Sequence, residues 1–228
     1  MTQTLLLDLD GTLIDSRPGI VASIFSTLRE FGHEPDPAMD LTWAIGPPLG
    51  ESIPRILADY GDARGEAGVA AYRRHYAAGG LFNATLYPGI PEMLAAAEFD
   101  LVLATSKRRD FAKQILDHFG LTPLFRGVYG SEPGGALDHK TKLLAHILRH
   151  EHISPDASVM VGDRHHDIDG ARANGVRVIG VTWGYGGADE LQHADALAHT
   201  AAEVLPLART LLLPPHPGLG LRSRPRPG

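Results

Sequence analysis

From Ile90 onward the chain alternates short apolar runs with amphipathic segments, and this alternation restricts the fold more than any other feature. Leu101-Val102-Leu103-Ala104, the stretch 125–129, Ser158-Val159-Met160-Val161 and the stretch 176–181 read as strands. Helical spacing falls between and around them, at about 91–97, 110–119, 141–150 and 166–174. Such alternation implies a parallel sheet with helices on both faces. One further strand-like run, Thr4-Leu5-Leu6-Leu7, stands apart near the N-terminus. The segment after it is different in kind. Ile20, Ile24, Leu28 and Phe31 share one side of a helix that Pro18 opens and Gly32 closes. Pro35, Pro37, Pro47 and Pro48 then break the chain, and two more helices are expected at about 50–60 and 66–78. No strand is expected between Gly19 and Leu81, and Gly79-Gly80 reads as a flexible connection back to Tyr87-Pro88-Gly89. The expected architecture is an α/β protein with a Rossmann-like parallel core over 1–15 and 82–213. A small helical insert occupies 16–81, and a disordered Pro/Arg-rich tail occupies 214–228.

Composition narrows the chemistry. A net charge of −6 over 228 residues gives no basic footprint for nucleic acid. With no cysteine, thiolate metal sites and cysteine nucleophiles are excluded. Neither a secretory signal pattern nor an apolar run near the ~18 residues of a membrane span is present, so a cytoplasmic location is expected.

Four polar clusters follow strands or open helices where one edge of the sheet should lie. Asp8-Leu9-Asp10-Gly11-Thr12 leaves the first apolar run directly. Two carboxylates so close at a strand end repel unless a cation or a shared proton offsets them, and a divalent metal with oxygen ligands is the simplest offset. Thr105-Ser106-Lys107 follows Ala104, Lys140 opens a helix, and Gly162-Asp163-Arg164-His165-His166-Asp167 follows Val161. In open α/β sheets ligands bind at the carboxyl ends of the strands.

The set resembles the haloacid dehalogenase superfamily, in its phosphoglycolate-phosphatase-like branch with a small helical cap. The resemblance spans about Leu5 to Leu212, with support from Ile45-Gly46-Pro47-Pro48-Leu49, Tyr87-Pro88-Gly89-Ile90 and Trp183-Gly184-Tyr185-Gly186. It implies Mg2+-dependent hydrolysis of a small phosphate monoester, with the insert acting as a cap. Asp8 would be the nucleophile that forms an aspartyl-phosphate, and Asp10 the general acid and then base. Thr105 and Ser106 would bind phosphate, although the family commonly has asparagine where Ser106 stands. Lys140 would offset charge, and the metal would be held by Asp8, the backbone carbonyl of Asp10, and Asp163. Asp167 would act one step out, through a metal-bound water or by holding Lys140. Asp15 to Pro18 and Gly79-Gly80 would be the hinges of the cap.

Competing assignments exist. Lys142 could replace Lys140 and Asp169 could replace Asp167, but their spacing fits the motifs less well. Lys107 and Arg108 read as surface residues of a first helical turn. His165 and His166 read as solvated loop residues, Trp43 and Trp183 as core. Arg73, Arg74 and His75 either meet a second anionic group or form a solvated face. A dehalogenase would not need Asp10, because halide leaves without a proton. A β-phosphoglucomutase-type mutase, a nucleotidase or a pyrophosphatase would share the motifs, whereas a non-catalytic sensor would be expected to have lost some. The expected partner is a small phosphorylated metabolite, with no nucleic acid and no membrane, and the expected assembly a monomer or homodimer.

Overall fold

β1 (Thr4–Leu7) lies in the middle of the sheet with all four residues buried, its three leucines within the apolar core. In the computed structural model, which describes residues 3–135 and 137–213, it pairs in parallel with β4 (Asp100–Arg108) on one side and β6 (Ser158–Gly162) on the other. β5 (Phe125–Ser131) extends the sheet beyond β4, and β7 (Arg177–Val181) and β8 (Ala196–Ala198) extend it beyond β6. The order β5-β4-β1-β6-β7-β8 is parallel throughout. The chain builds outward from β1 first one way and then the other. That reversal opens a crevice at the carboxyl ends of β1, β4 and β6.

Period-two alternation divides the core. Leu5, Leu7, Leu101, Leu103, Val159, Val161 and Ile179 face one side, where α4 (Ile90–Ala95), α5 (Arg109–His118) and α9 (Ala201–Leu212) pack. Leu6, Val102, Ala104, Met160 and Val178 face the other, under α6 (Lys140–His150) and α7 (His165–Ala173). Burial on both faces explains why these strands read as continuous apolar runs. The short α8 (Ala188–Leu191) lies between β7 and β8. The result is a Rossmann-like α/β fold.

The remaining elements follow β1. β2 (Ile14–Asp15) pairs antiparallel with β3 (Thr85–Leu86), and α1 (Arg17–Glu30), α2 (Leu49–Asp59) and α3 (Gly65–His75) lie between them in the chain. The structure departs from the expected flexible connection at Gly79-Gly80. α3 continues there as a wider turn over Tyr76–Gly80, and Gly80 is buried against Gly19 of α1. A Cβ on either glycine would overlap the other's backbone carbonyl oxygen, so the pair serves close packing of two backbones. The Pro/Arg-rich tail expected at 214–228 lies outside the described residues. Among the described residues, no helix is long and apolar enough to cross a membrane.

Candidate active site

β1 ends at Leu7, and Asp8 is the next residue; its backbone N–H still donates to the Val161 carbonyl oxygen at 3.0 Å. Leu9 turns back into the core. The chain then reverses: Leu13 and Ile14 N–H donate to Leu9 O at 2.9 and 3.1 Å, with Gly11 at φ +83°. This reversal is what brings Asp10 to the same cavity as Asp8 although the two alternate along an extended backbone.

Asp8, Asp163 and Asp167 are all buried, and each offers a carboxylate oxygen within 4.8 Å of the others. Lys140 joins two of them: its Nζ lies 2.9 Å from Asp8 Oδ1 and 2.7 Å from Asp167 Oδ1, and it also donates to Ala104 O at 2.7 Å. Asp163 is fully buried; Thr12 Oγ1 donates to its Oδ1 at 3.2 Å and the Tyr185 N–H to its Oδ2 at 2.8 Å. Gly11, Gly184 and Gly186 surround it so closely that a Cβ on any of them would overlap Asp163. Asp167 sits in the first turn of α7, where its Oδ2 accepts the Arg164 N–H at 3.1 Å.

Three buried acids facing one buried ammonium leave negative charge uncompensated. Burial above all, with further push from Asp167, holds the Asp8 carboxyl up at about 6 despite the opposing pull of Lys140. Burial and then the neighbouring Asp167 and Asp8 carboxylates push Asp163 up to about 8. Burial by itself would lower the Lys140 ammonium, but Asp167 and Asp8 outweigh it and hold the lysine charged. A hard divalent cation satisfies such an all-oxygen anionic set.

Thr105 is buried and Ser106 half-buried, and both line the cavity with Asp8 and Asp10; Thr105 Oγ1 accepts the Lys107 N–H at 3.2 Å. Lys142 and Asp169 are exposed, which leaves Lys140 and Asp167 as the members that reach the cluster. His165 and His166 open α7 and are not loop residues. His165 Nδ1 lies 2.7 Å from Glu190, and burial lowers His166 to about 4, so it is neutral near pH 7.

Lys107 differs most from the expected surface position. β4 runs four residues past Ala104, so Lys107 is a strand residue with a nearly buried side chain. Its Nζ lies 3.0 Å from Asp10 Oδ2, donates to Tyr76 Oη at 2.8 Å and stands 4.5 Å from the centre of the Tyr76 ring. The Asp10 and Tyr76 contacts overcome the cost of burial and hold this ammonium charged. The available signal was strand period two: if the strand continues, Thr105 and Lys107 face the same way. Arg108 is the half-exposed neighbour and pairs with Asp110.

The wall opposite the acids comes from α1, α2 and α3, through Ile20, Ile24, Ile53, Tyr72 and Tyr76. Arg164 ties the two sides together. Its guanidinium donates to the carbonyl oxygens of Thr42 and Ile45, while its Nε lies 2.9 Å from Glu190 Oε2. Tyr185 fastens the turn after β2 in a similar way, accepting the Ser16 N–H at 2.8 Å and donating to Asp15 Oδ1 at 2.8 Å.

The model of the haloacid dehalogenase-like hydrolases matches residues 5–181, the span that contains Asp8, Asp10, Asp163, Asp167, Lys107 and Lys140. The chain belongs to that family. A 5'-nucleotidase of Pseudomonas aeruginosa is 40% identical over 213 residues, covering 91% of this chain and 94% of the relative. The tyrosine-protein kinase PtkA of Mycobacterium tuberculosis is 39% identical over 214 residues, 92% of this chain and 72% of the kinase. Among solved structures, a predicted phosphatase from Clostridium acetobutylicum superposes with a TM-score of 0.83 at 34% identity, covering 93% of this chain and 99% of that one. Membership makes this chain a hydrolase with an α/β core.

Proposed function

We propose that the chain is a Mg2+-dependent phosphatase that hydrolyses a small phosphate monoester through an aspartyl-phosphate. One observation carries the reading: Asp8 faces the cavity while held by Lys140 within a cluster of two further buried acids. A phosphate monoester brings about two negative charges at neutral pH, and its transfer needs oxygens neutralised, a nucleophile aligned and the leaving oxygen protonated.

The residues present fit a magnesium ion. Asp8, Asp163 and Asp167 supply only hard oxygen donors, and the upward push on the Asp8 and Asp163 carboxyls marks charge that a cation would offset. Asp8 and Asp163, with the Asp10 backbone carbonyl, would hold it, and Asp167 remains the partner of Lys140. When bound, the ion would neutralise phosphate oxygens and permit the approach of two anions.

The protein groups do the rest. An Asp8 carboxylate oxygen attacks phosphorus as the bond to the leaving oxygen breaks, giving an aspartyl-phosphate and an alkoxide that takes the proton of Asp10. Asp10, now a carboxylate, accepts a proton from water as that water attacks the phosphoryl group, which returns Asp8 and releases inorganic phosphate. The buried Asp10 Oδ1 has no hydrogen-bond partner among the described residues, in keeping with a group that exchanges a proton with substrate. Thr105 and Ser106 bind phosphate oxygens, and Lys140 steadies Asp8 during transfer.

In this reading residues 16–81 are a cap that excludes water while the first step proceeds, and the contacts from Lys107 to Tyr76 and from Arg164 to Ile45 hold it closed. The enzyme would act in the cytoplasm on phosphorylated metabolites, as a monomer or homodimer. The similarity to a 5'-nucleotidase supports nucleoside monophosphates as one substrate class to try.

The test is release of inorganic phosphate from a panel of monoesters, with and without magnesium. Asp8→Asn should abolish turnover and acid-stable phosphoenzyme while leaving the circular dichroism spectrum intact, and Asp163→Ala should raise the magnesium needed for half-activity. Full turnover by Asp8→Asn would remove the nucleophile assignment.

A further inference from the structure

The helical wall of the cavity carries one cation that the chemistry above does not use. Three basic residues close α3, and the structure separates them. Arg74 lies 2.6 Å from Glu30 and His75 lies 2.8 Å from the same carboxylate, so both are tied to α1 away from the acids. Arg73 lines the cavity together with Asp8 and Asp10. Its buried Nε has no hydrogen-bond partner, and it enters no ion pair, among the described residues. The other cations lining the cavity are engaged, Lys107 by Asp10 and Arg108 by Asp110. Asp138 also lines it, its own buried Oδ1 without a hydrogen-bond partner among the described residues, and it forms no ion pair or hydrogen bond with Arg73. A buried guanidinium donor without an acceptor is costly, and a planar fork of donors matches a carboxylate or a phosphate.

We propose that Arg73 is a specificity-determining residue that binds a second anionic group on the alcohol portion of the substrate, opposite the phosphate held near Asp8. The substrate is then a phosphate monoester bearing a second anion, a carboxylate or another phosphate. Arg73 shares the helical wall with the apolar side chains of Ile20, Ile24 and Ile53, and is the cation of that wall that lines the cavity. The inference rests on the phosphatase reading for where the first phosphate sits, and adds what the far end of the molecule must carry.

Paired substrates test it. Ethyl phosphate and 2-phosphoglycolate differ in whether a carboxylate is present, and propyl phosphate and propane-1,3-diol bisphosphate differ in whether a second phosphate is. In each pair the ratio of kcat/KM, anionic over neutral, is measured for the protein and for Arg73→Met and Arg73→Lys. A charge-assisted contact predicts that Arg73→Met lowers the ratio by roughly tenfold to a hundredfold in at least one pair, with Arg73→Lys recovering part of it. The pair that responds identifies the anion. Equal ratios for the protein and Arg73→Met in both pairs overturn the proposal. If no ester is turned over, p-nitrophenyl phosphate included, the phosphatase reading fails, and the same ratios are read as binding constants by calorimetry. A ratio unmoved by Arg73→Met there overturns the Arg73 assignment too. Should Arg73→Met not fold, Arg73→Gln keeps the polar stem and is read in the same way.

Discussion

At the scale of single residues, the site is governed by how buried charges are matched. Lys140 answers Asp8 and Asp167, and Lys107 answers Asp10. Removing one member of a buried pair leaves the other charged and desolvated, which costs more than the pair contributed. Lys107→Met is therefore expected to destabilise the fold by about 3 kcal/mol, and adding Asp10→Asn should restore most of the loss because no unpaired carboxylate remains. Urea denaturation of the two single variants and the double variant measures this. Strictly additive losses would show that Lys107 and Asp10 are not coupled. Lys107 departs from its expected surface position because the apolar run ends at Ala104, whereas the hydrogen-bonded ladder with β5 carries β4 on to Arg108. Asp8, Asp10, Asp163 and Lys140 stand in short motifs at strand ends or a helix start; the structure groups Asp8 and Asp163 with Asp167, joins Lys140 to Asp8, and sets Asp10 beside Asp8 in the cavity lining.

At the scale of elements, helical and strand periods were readable wherever burial is one-sided or complete. α1 to α7 fall near their expected places, since apolar stripes and proline breaks mark them locally, whereas α8 and α9 were not expected from the sequence. Gly79-Gly80 was not readable in this way. A glycine pair signals freedom in isolation, but here Gly80 meets Gly19 across two helical segments, a contact between residues far apart in the chain. Gly80→Ala is expected to lower stability by about 1–3 kcal/mol, since its Cβ would overlap the Gly19 carbonyl oxygen and Ser23 Oγ and small-to-large changes in tight contacts force the backbone apart. Gly79→Ala, with open space around it, is the control. Equal melting temperatures for the two variants would show that the α1 crossing tolerates separation.

At the scale of the whole molecule, two buried carboxylates, Asp8 and Asp163, couple stability to pH and to metal. Asp8 and Asp163 bind protons more tightly in the folded state, up to about 6 and about 8 against an ordinary value of 3.8. With the folded values raised, the native state holds more protons across that interval, so stability falls as pH rises from about 4 toward 8. The metal-free protein should accordingly melt lower at pH 8 than at pH 5. A divalent cation competes with those protons for the same oxygens, so magnesium should raise the melting temperature more at pH 8 than at pH 5. Scanning calorimetry with magnesium or with chelator reads the difference. A magnesium effect independent of pH would dissociate the cation from Asp8 and Asp163.

The sequence by itself determined the α/β class, the strand and helix pattern up to β7 apart from the short β2 and β3, and the acids and lysine that make the family recognisable. These are local properties, fixed by side-chain period and by residue type at strand ends. Tertiary structure alone decided that Asp163 is enclosed by Gly11, Gly184 and Gly186, that Lys107 pairs with Asp10, and that Arg73 faces the cavity while Arg74 does not. Each of those depends on segments distant in the chain meeting at the end of one parallel sheet, where burial rather than sequence neighbourhood sets which charges must answer one another.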